Sequence, residues 1–202
     1  MDTVFAQAVG IAAMVICILA FQLKTAKGIV LMQAAGALLF VVHFYLLGQH
    51  VGALLNGVGC IRAVLLMKKE KWHTDNNLWL AILGAAYIAC YVLTFAVFGE
   101  VFTLRNAVLQ CLPVLGMFCS HLAFRSEEAA QVRRIFLASS VCWIIYNAIG
   151  FSIGGILCEA FNIIGYSLFV AGAMRDCTYF FKKINNYKTL YTKLCCTSGC
   201  RM

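Results

Sequence analysis

The sequence predicts an all-α transmembrane protein, with seven helices in a 3+1+3 arrangement of two parallel triple-helix bundles and N-out/C-in topology. Three observations predict it. The 202 residues are 63% hydrophobic and only 12% charged, with a mean hydropathy of +0.88, whereas a soluble domain is about half apolar and about a quarter charged. The apolar residues fall into runs near the ~20 helical residues that a bilayer crossing needs. The basic residues collect on one side of those runs, and the first half of the chain is repeated in the second.

The first span covers about 4–22 and follows the acidic opening "MDTV", which lacks the basic n-region of a signal peptide, so it is expected to remain in the chain. The second and third, 28–47 and 51–67, are separated only by "LGQHVG", a tight glycine-containing helical hairpin. "HTDNN" at 73–77 reads as a helix-capping turn before the fourth span, 78–98. The fifth, 102–121, opens with Arg105, Asn106 and Gln110, residues that suit an entrance or an ordinary interface. It carries the lone proline, Pro113. The sixth and seventh, 132–149 and 152–171, are joined by "IGFSIGG", which turns its corner at Gly150.

With the N-terminus outside, the inner side receives Lys24, Lys27, Lys68, Lys69, Lys71, Arg125, Arg133, Arg134 and the tail from Arg175 to Arg201. That accounts for 14 of the 16 basic residues, with Arg105 outside and Arg62 within a span. The net charge of +8 is thus topogenic, and nucleic acid is not an expected partner. The predicted divisions are a first triple-helix bundle at 1–72, a linker helix at 73–100, a second bundle at 101–174 and a basic cytosolic tail at 175–202.

Sliding the chain against itself by 103 positions aligns "LAF" at 19–21 with "LAF" at 122–124. The same offset pairs Gln7 with Gln110, Gly10 with Pro113, Phe40 with Trp143, His43 with Tyr146, Gly52 with Gly155 and Asn56 with Glu159. Identities number 11 in the 62 positions from residue 7 to 68, and the rare polar positions coincide. Repeats in the same orientation, related by an axis along the membrane normal, place a solute site near the midplane at their interface. The Gly10 and Pro113 positions suit corresponding hinges in the first and fifth spans, or simple helix packing.

"FVVHFYLLGQHVGALLN" and "WIIYNAIGFSIGGILCE" each set an aromatic residue 16 positions before a polar one, across a short hairpin. This resembles the SWEET and SemiSWEET carriers, whose bundles present a Trp and an Asn to sugar at that spacing. The chain has Phe21-Gln22 and Phe124-Arg125 where those carriers have Pro-Gln, and its site pairs, Phe40 with Asn56 and Trp143 with Glu159, are asymmetric and partly acidic. "HFYLLG" followed by Asn56, and "CW", "YN", "SIGG" and Glu159, look like the YgjV-type bacterial inner-membrane family up to about residue 175. That resemblance implies location and fold and brings no substrate.

A charge at the centre of a membrane helix costs ~2.5–3.5 kcal/mol on insertion scales, so such a residue faces a bundle interior or a wet cavity. Glu159, Asn162 and Tyr166 form a stripe at i, i+3 and i+7 that is expected to face a central cavity. The candidate substrate-binding set is Phe40, His43, Asn56, Trp143, Tyr146, Glu159 and Asn162, with Phe40 and Trp143 supplying apolar faces and Glu159 a titratable charge. The structural alternative pairs Glu159 with Arg62 or Tyr146 as interhelical glue and bonds His43 to a backbone carbonyl. Arg62 is expected to snorkel to the cytoplasmic surface. The glycines at 48, 52, 150, 154 and 155 read as packing positions.

No triad, phosphate loop or metal spacing appears, so neither enzymatic activity nor a cofactor or metal is expected. Seven of the 11 cysteines lie inside apolar runs and read as small hydrophobes; Cys195, Cys196 and Cys200 read as free cytosolic thiols. The leading function is a small permease for a small polar metabolite, working by alternating access between the bundles. Alternatives are a vitamin-precursor carrier of the nicotinamide riboside type, and a non-transporting scaffold or sensor acting through the basic tail on anionic lipid. The expected partners are the lipid bilayer and a small polar solute, with homo-oligomerisation left open.

Overall fold

The computed structural model describes residues 3–20, 26–74, 76–125 and 129–170, which contain helices and no strand. The expected basic tail and the Lys24 position lie outside the described residues. Seven long helices are α1 (Thr3–Ala20), α2 (Ala26–Leu46), α3 (His50–Met67), α5 (Asn77–Ala96), α6 (Leu104–Arg125), α7 (Ala129–Ile149) and α8 (Ile153–Val170). A one-turn helix the hydropathy pattern did not show, α4 (Lys69–Trp72), follows α3 and ends at His73 in the left-handed conformation. The Asn76 side chain then caps α5 by accepting the Trp79 N–H at 3.1 Å, as "HTDNN" led one to expect. By length and composition three helical stretches suffice to cross a membrane, Thr3–Ala20, Asn77–Ala96 and Leu104–Ala123; the apolar stretches of the other long helices are shorter.

The two halves share their turn chemistry. α2 and α7 both end in a Schellman motif, in which a left-handed residue lets two backbone N–H groups reach back to the last turn. In the first, Gly48 and Gln49 donate to the carbonyls of Tyr45 and Phe44 at 3.1 and 2.8 Å. In the second, Phe151 and Ser152 donate to those of Ala148 and Asn147 at 3.3 and 2.9 Å. Every one of these residues maps onto its counterpart by the 103-residue offset, as do the first and last residues of α2 and α7. The left-handed residue of the second hairpin is Phe151, with φ 53°, and not Gly150; Gly48, with φ 73°, holds that role in the first. Gly48 therefore serves conformation and not packing, because a Cβ there would meet nothing within 4 Å.

Helices adjacent in sequence pack together: α1 on α2, α2 on α3, α6 on α7 and α7 on α8. Two further contacts, α3 on α6 and α1 on α8, close a ring of six helices, and α5 leans on that ring against α3 and α6. Under the offset these two closing contacts are counterparts of each other. At the α1–α8 contact the two backbones touch, Gly154 lying directly on the Gly10 backbone, so neither position has room for a side chain. The ring is apolar outside, with Val4, Leu31, Leu38 and Leu104 more than half exposed, and its interior sets buried polar residues, His43, Asn147, Ser139, Ser140 and Ser152, among apolar ones such as Phe40, Phe44 and Leu55. An apolar exterior around a partly polar interior is the arrangement a hydrocarbon solvent selects.

Phe151 is exposed and its left-handed backbone disfavours a side chain by roughly 1–2 kcal/mol, so Phe151→Gly is expected to raise the melting temperature of the detergent-solubilised protein. Gly154→Val is expected to destabilise by about 1–3 kcal/mol through overpacking against α1. Gly57→Ala, where the new Cβ meets nothing within 4 Å, serves as the silent control in the same melts.

Candidate functional site

Inside the ring lies a cavity of about 220 Å³ with walls from all six of its helices and none from α5. Along α2 its wall runs from Phe44 beside the hairpin to Gln33, a stretch of about 16 Å at 1.5 Å per residue. Sequence reasoning placed Phe40, Asn56, Trp143, Glu159 and Asn162 here, and all five line it. Asn162 donates to the Glu159 carboxylate at 3.3 Å, and the Ser140 hydroxyl also bonds that carboxylate. The expected stripe on α8 is thus a bonded pair at i and i+3; the side chain of Tyr166 lies outside the described residues. Asn56 turns back on its own helix and donates to the Gly52 carbonyl at 2.9 Å.

His43 and Tyr146, expected beside them, do not line the cavity. They belong to a polar seal under the two hairpins. One ring nitrogen of His43 lies 2.7 Å from the Ala6 carbonyl on α1 and the other 2.7 Å from the Ser152 hydroxyl at the start of α8. The Tyr146 hydroxyl accepts the Gly52 N–H at 3.2 Å, which ties α7 to α3. Gln49, leaving the first hairpin, donates to the Gly150 carbonyl in the second at 2.7 Å. Gln7 closes the third side: its amide donates to the Phe151 carbonyl at 2.6 Å and accepts the Ile153 N–H at 3.0 Å. Gly10 and Gly150 fit this seal by lacking side chains, one against the His43 ring and the other against the Gln49 amide. The seal gives Gly10 a packing reason; Pro113 lies fully buried inside α6.

Arg62 does not snorkel. It lines the cavity and donates to the Ser120 hydroxyl on α6 at 2.8 Å, because its place on α3 faces the α3–α6 contact. Arg105 is exposed. Asn106 caps its own loop by donating to the Val101 carbonyl at 2.9 Å and to Glu100 at 3.3 Å, and Gln110 donates to Asn106 at 3.3 Å.

Phe44 and Asn147 are among the lining residues that sequence reasoning missed. Phe44 stacks between Phe40 and Trp143, with ring centroids 5.7 and 6.1 Å away and interplanar angles of 22° and 27°. Asn147, its counterpart under the offset, is 2% exposed, and its Oδ1 has no hydrogen-bond partner. The signal for Asn147 was present in "YN", since an amide inside an apolar run needs a partner, yet Glu159 drew the argument away from it.

An apolar exterior, a ring of helices and a central cavity lined by polar and aromatic side chains define a helical membrane protein with an internal cavity. The chain belongs to the family described as "Imp-YgjV: Bacterial inner membrane protein", whose model matches residues 4–176. It is accordingly a protein of the bacterial inner membrane. No curated protein and no solved structure matches the chain.

Because His43 joins α1 to the start of α8 through two buried bonds, His43→Phe loses both, at a cost of about 1–3 kcal/mol. The expected outcome is a lower melting temperature with faster amide exchange confined to residues 150–153 and the first turns of α1.

Proposed function

We propose that the protein is a non-enzymatic permease for a small polar metabolite, and that all seven long helices cross the membrane as a 3+1+3 pair of parallel bundles with N-out/C-in topology. The observation that carries this reading is the cavity itself: it is bounded by all six helices of the two repeats and closed at its hairpin end by the His43, Gln49, Gln7 and Tyr146 bonds. In this orientation both hairpins face the periplasm. The seal is then the outer gate, and opening it requires α1 and α8 to part while α3 and α6 pivot, the rocking of one repeat against the other that parallel-repeat carriers use. Within the cavity Phe40 and Trp143 serve as apolar faces, and Asn56, Glu159 and Asn162 as hydrogen-bonding groups. His43 and Tyr146 act on the solute through the gate. The spacing likeness to SWEET carriers supports the same mechanism.

Purified protein in proteoliposomes is expected to take up at least one member of a broad panel of small polar solutes above empty vesicles. Glu159→Gln is expected to reduce that flux at least ~10-fold and Asn56→Ala severalfold; absence of flux across the whole panel rejects the permease reading. The orientation is checked separately. In a cysteine-free background, Phe151→Cys is expected to react with a membrane-impermeant maleimide added outside intact spheroplasts, and protection there reverses the topology.

A further inference from the structure

The two walls of the cavity differ. The α2 wall presents Gln33, Phe40 and Phe44, whereas the α7–α8 wall adds Ser140, Asn147, Glu159 and Asn162 to aromatics of its own, Phe136 and Trp143. The offset makes this a divergence between copies, for Ser140, Asn147 and Asn162 stand where the first repeat has Ala37, Phe44 and Gly59. The polar wall is rich in acceptors. The Asn147 Oδ1 is buried with no hydrogen-bond partner, an acceptor left unsatisfied. The side chain also rests on the bare backbone of Gly155, where a Cβ would come within 2.6 Å of its Oδ1. Beside it on the same wall Glu159 receives hydrogen bonds from Ser140 and Asn162, two neutral groups that orient the carboxylate without neutralising it.

Resting on the permease reading for its transport step, and for nothing else, we propose that the solute is a small organic ammonium ion. Its N–H group sits on the α7–α8 wall at the Glu159 carboxylate, where the Asn147 amide turns from Gly155 to bring its Oδ1 to the same group, and its hydrocarbon or ring portion lies against Phe40 and Trp143. Each wall needs what this class of solute supplies. An ammonium has donors and no acceptor, matching the Glu159 carboxylate and the unpartnered Asn147 Oδ1. It neutralises a carboxylate that is held away from water. The aromatic faces add a cation–π attraction to the apolar contact. The volume of about 220 Å³ falls below the ~300–1,000 Å³ of pockets for drug-sized ligands, so a solute of roughly one ring and a short arm fits. Arg62, the one Lys or Arg among the described lining residues, is turned to Ser120 on α6. A carboxylate at the far end of the solute would meet it, so a monoamine and an amino acid share the ammonium chemistry and differ at that end.

The test measures binding to the full-length protein in nanodiscs by isothermal titration, using four probes of one shape: 2-phenylethylamine, 2-phenylethanol, 3-phenylpropionate and phenylalanine. The amine is expected to bind at least ~10-fold tighter than the alcohol, and the carboxylate not at all. Glu159→Gln is expected to erase the preference for amine over alcohol, and Asn147→Leu, which keeps the side-chain volume, to weaken the amine ~3- to 10-fold at an unchanged melting temperature. Phenylalanine binding tighter than the amine supports the ammonium site and places the carboxylate near Arg62. If the alcohol or the carboxylate binds as well as the amine, or if Glu159→Gln keeps the preference in protein that melts like the parent, the proposal is overturned. Should Glu159→Gln fail to fold, Asn147→Leu and the four-probe series decide alone. Binding in the expected order without uptake into proteoliposomes removes the permease reading and leaves the ammonium site standing; uptake restricted to neutral solutes does the reverse.

Discussion

The structure depends on how two identical turns are tied together where they meet. Each Schellman motif satisfies its own backbone, but a helical hairpin in hydrocarbon still brings loose carbonyls and N–H groups to one end of the bundle. Gln7, His43 and Gln49 bond across elements to the turn at Gly150–Ile153, so the second hairpin is held by residues of the first repeat. Tyr146 returns the favour at Gly52. A close approach of two backbones, Gly10 on Gly154, lies within this same network. Because hydrogen bonds and missing side chains both hold the hairpins, the halves can touch tightly at one end and leave a chamber below it.

Duplication followed by divergence explains the chamber's chemistry. Where the fold needs identity, at the left-handed turn positions and the helix ends, the copies agree in geometry even though Gly48 faces Phe151 in the alignment. Where the fold is indifferent, on the inner faces, both copies keep aromatics, Phe40 and Phe44 on α2 and Phe136 and Trp143 on α7, and the second copy adds Ser140, Asn147, Glu159 and Asn162. Phe44 and Asn147 show the divergence in a single pair: one fills space between two rings, and the other brings an unpartnered acceptor to the cavity. The same divergence makes Asn56 an amide satisfied by its own helix and Glu159 a carboxylate ordered by its neighbours. An amide can close on itself, whereas a buried carboxylate must recruit donors, and this is the physical content of the asymmetry.

The sequence by itself determined the helices, their hairpins and the repeat, because hydropathy, turn chemistry and capping act over a few residues and are written locally. The 103-residue offset pointed to Phe40, Asn56, Trp143 and Glu159, and the i, i+3 stripe on α8 to Asn162, all of which line the cavity, since rare polar residues in apolar runs have few places to go. Only the tertiary structure decided between cavity and seal. His43 and Tyr146 share the helix face of Phe40 and Trp143 one turn away, and no local pattern says that the hairpins close over that turn. Arg62 faced the same limit: snorkelling and an inward reach to Ser120 look alike in one dimension, and the α3–α6 contact selects the second. A side chain's role here is set by what the other repeat places opposite it, and that opposition exists only once the ring has closed.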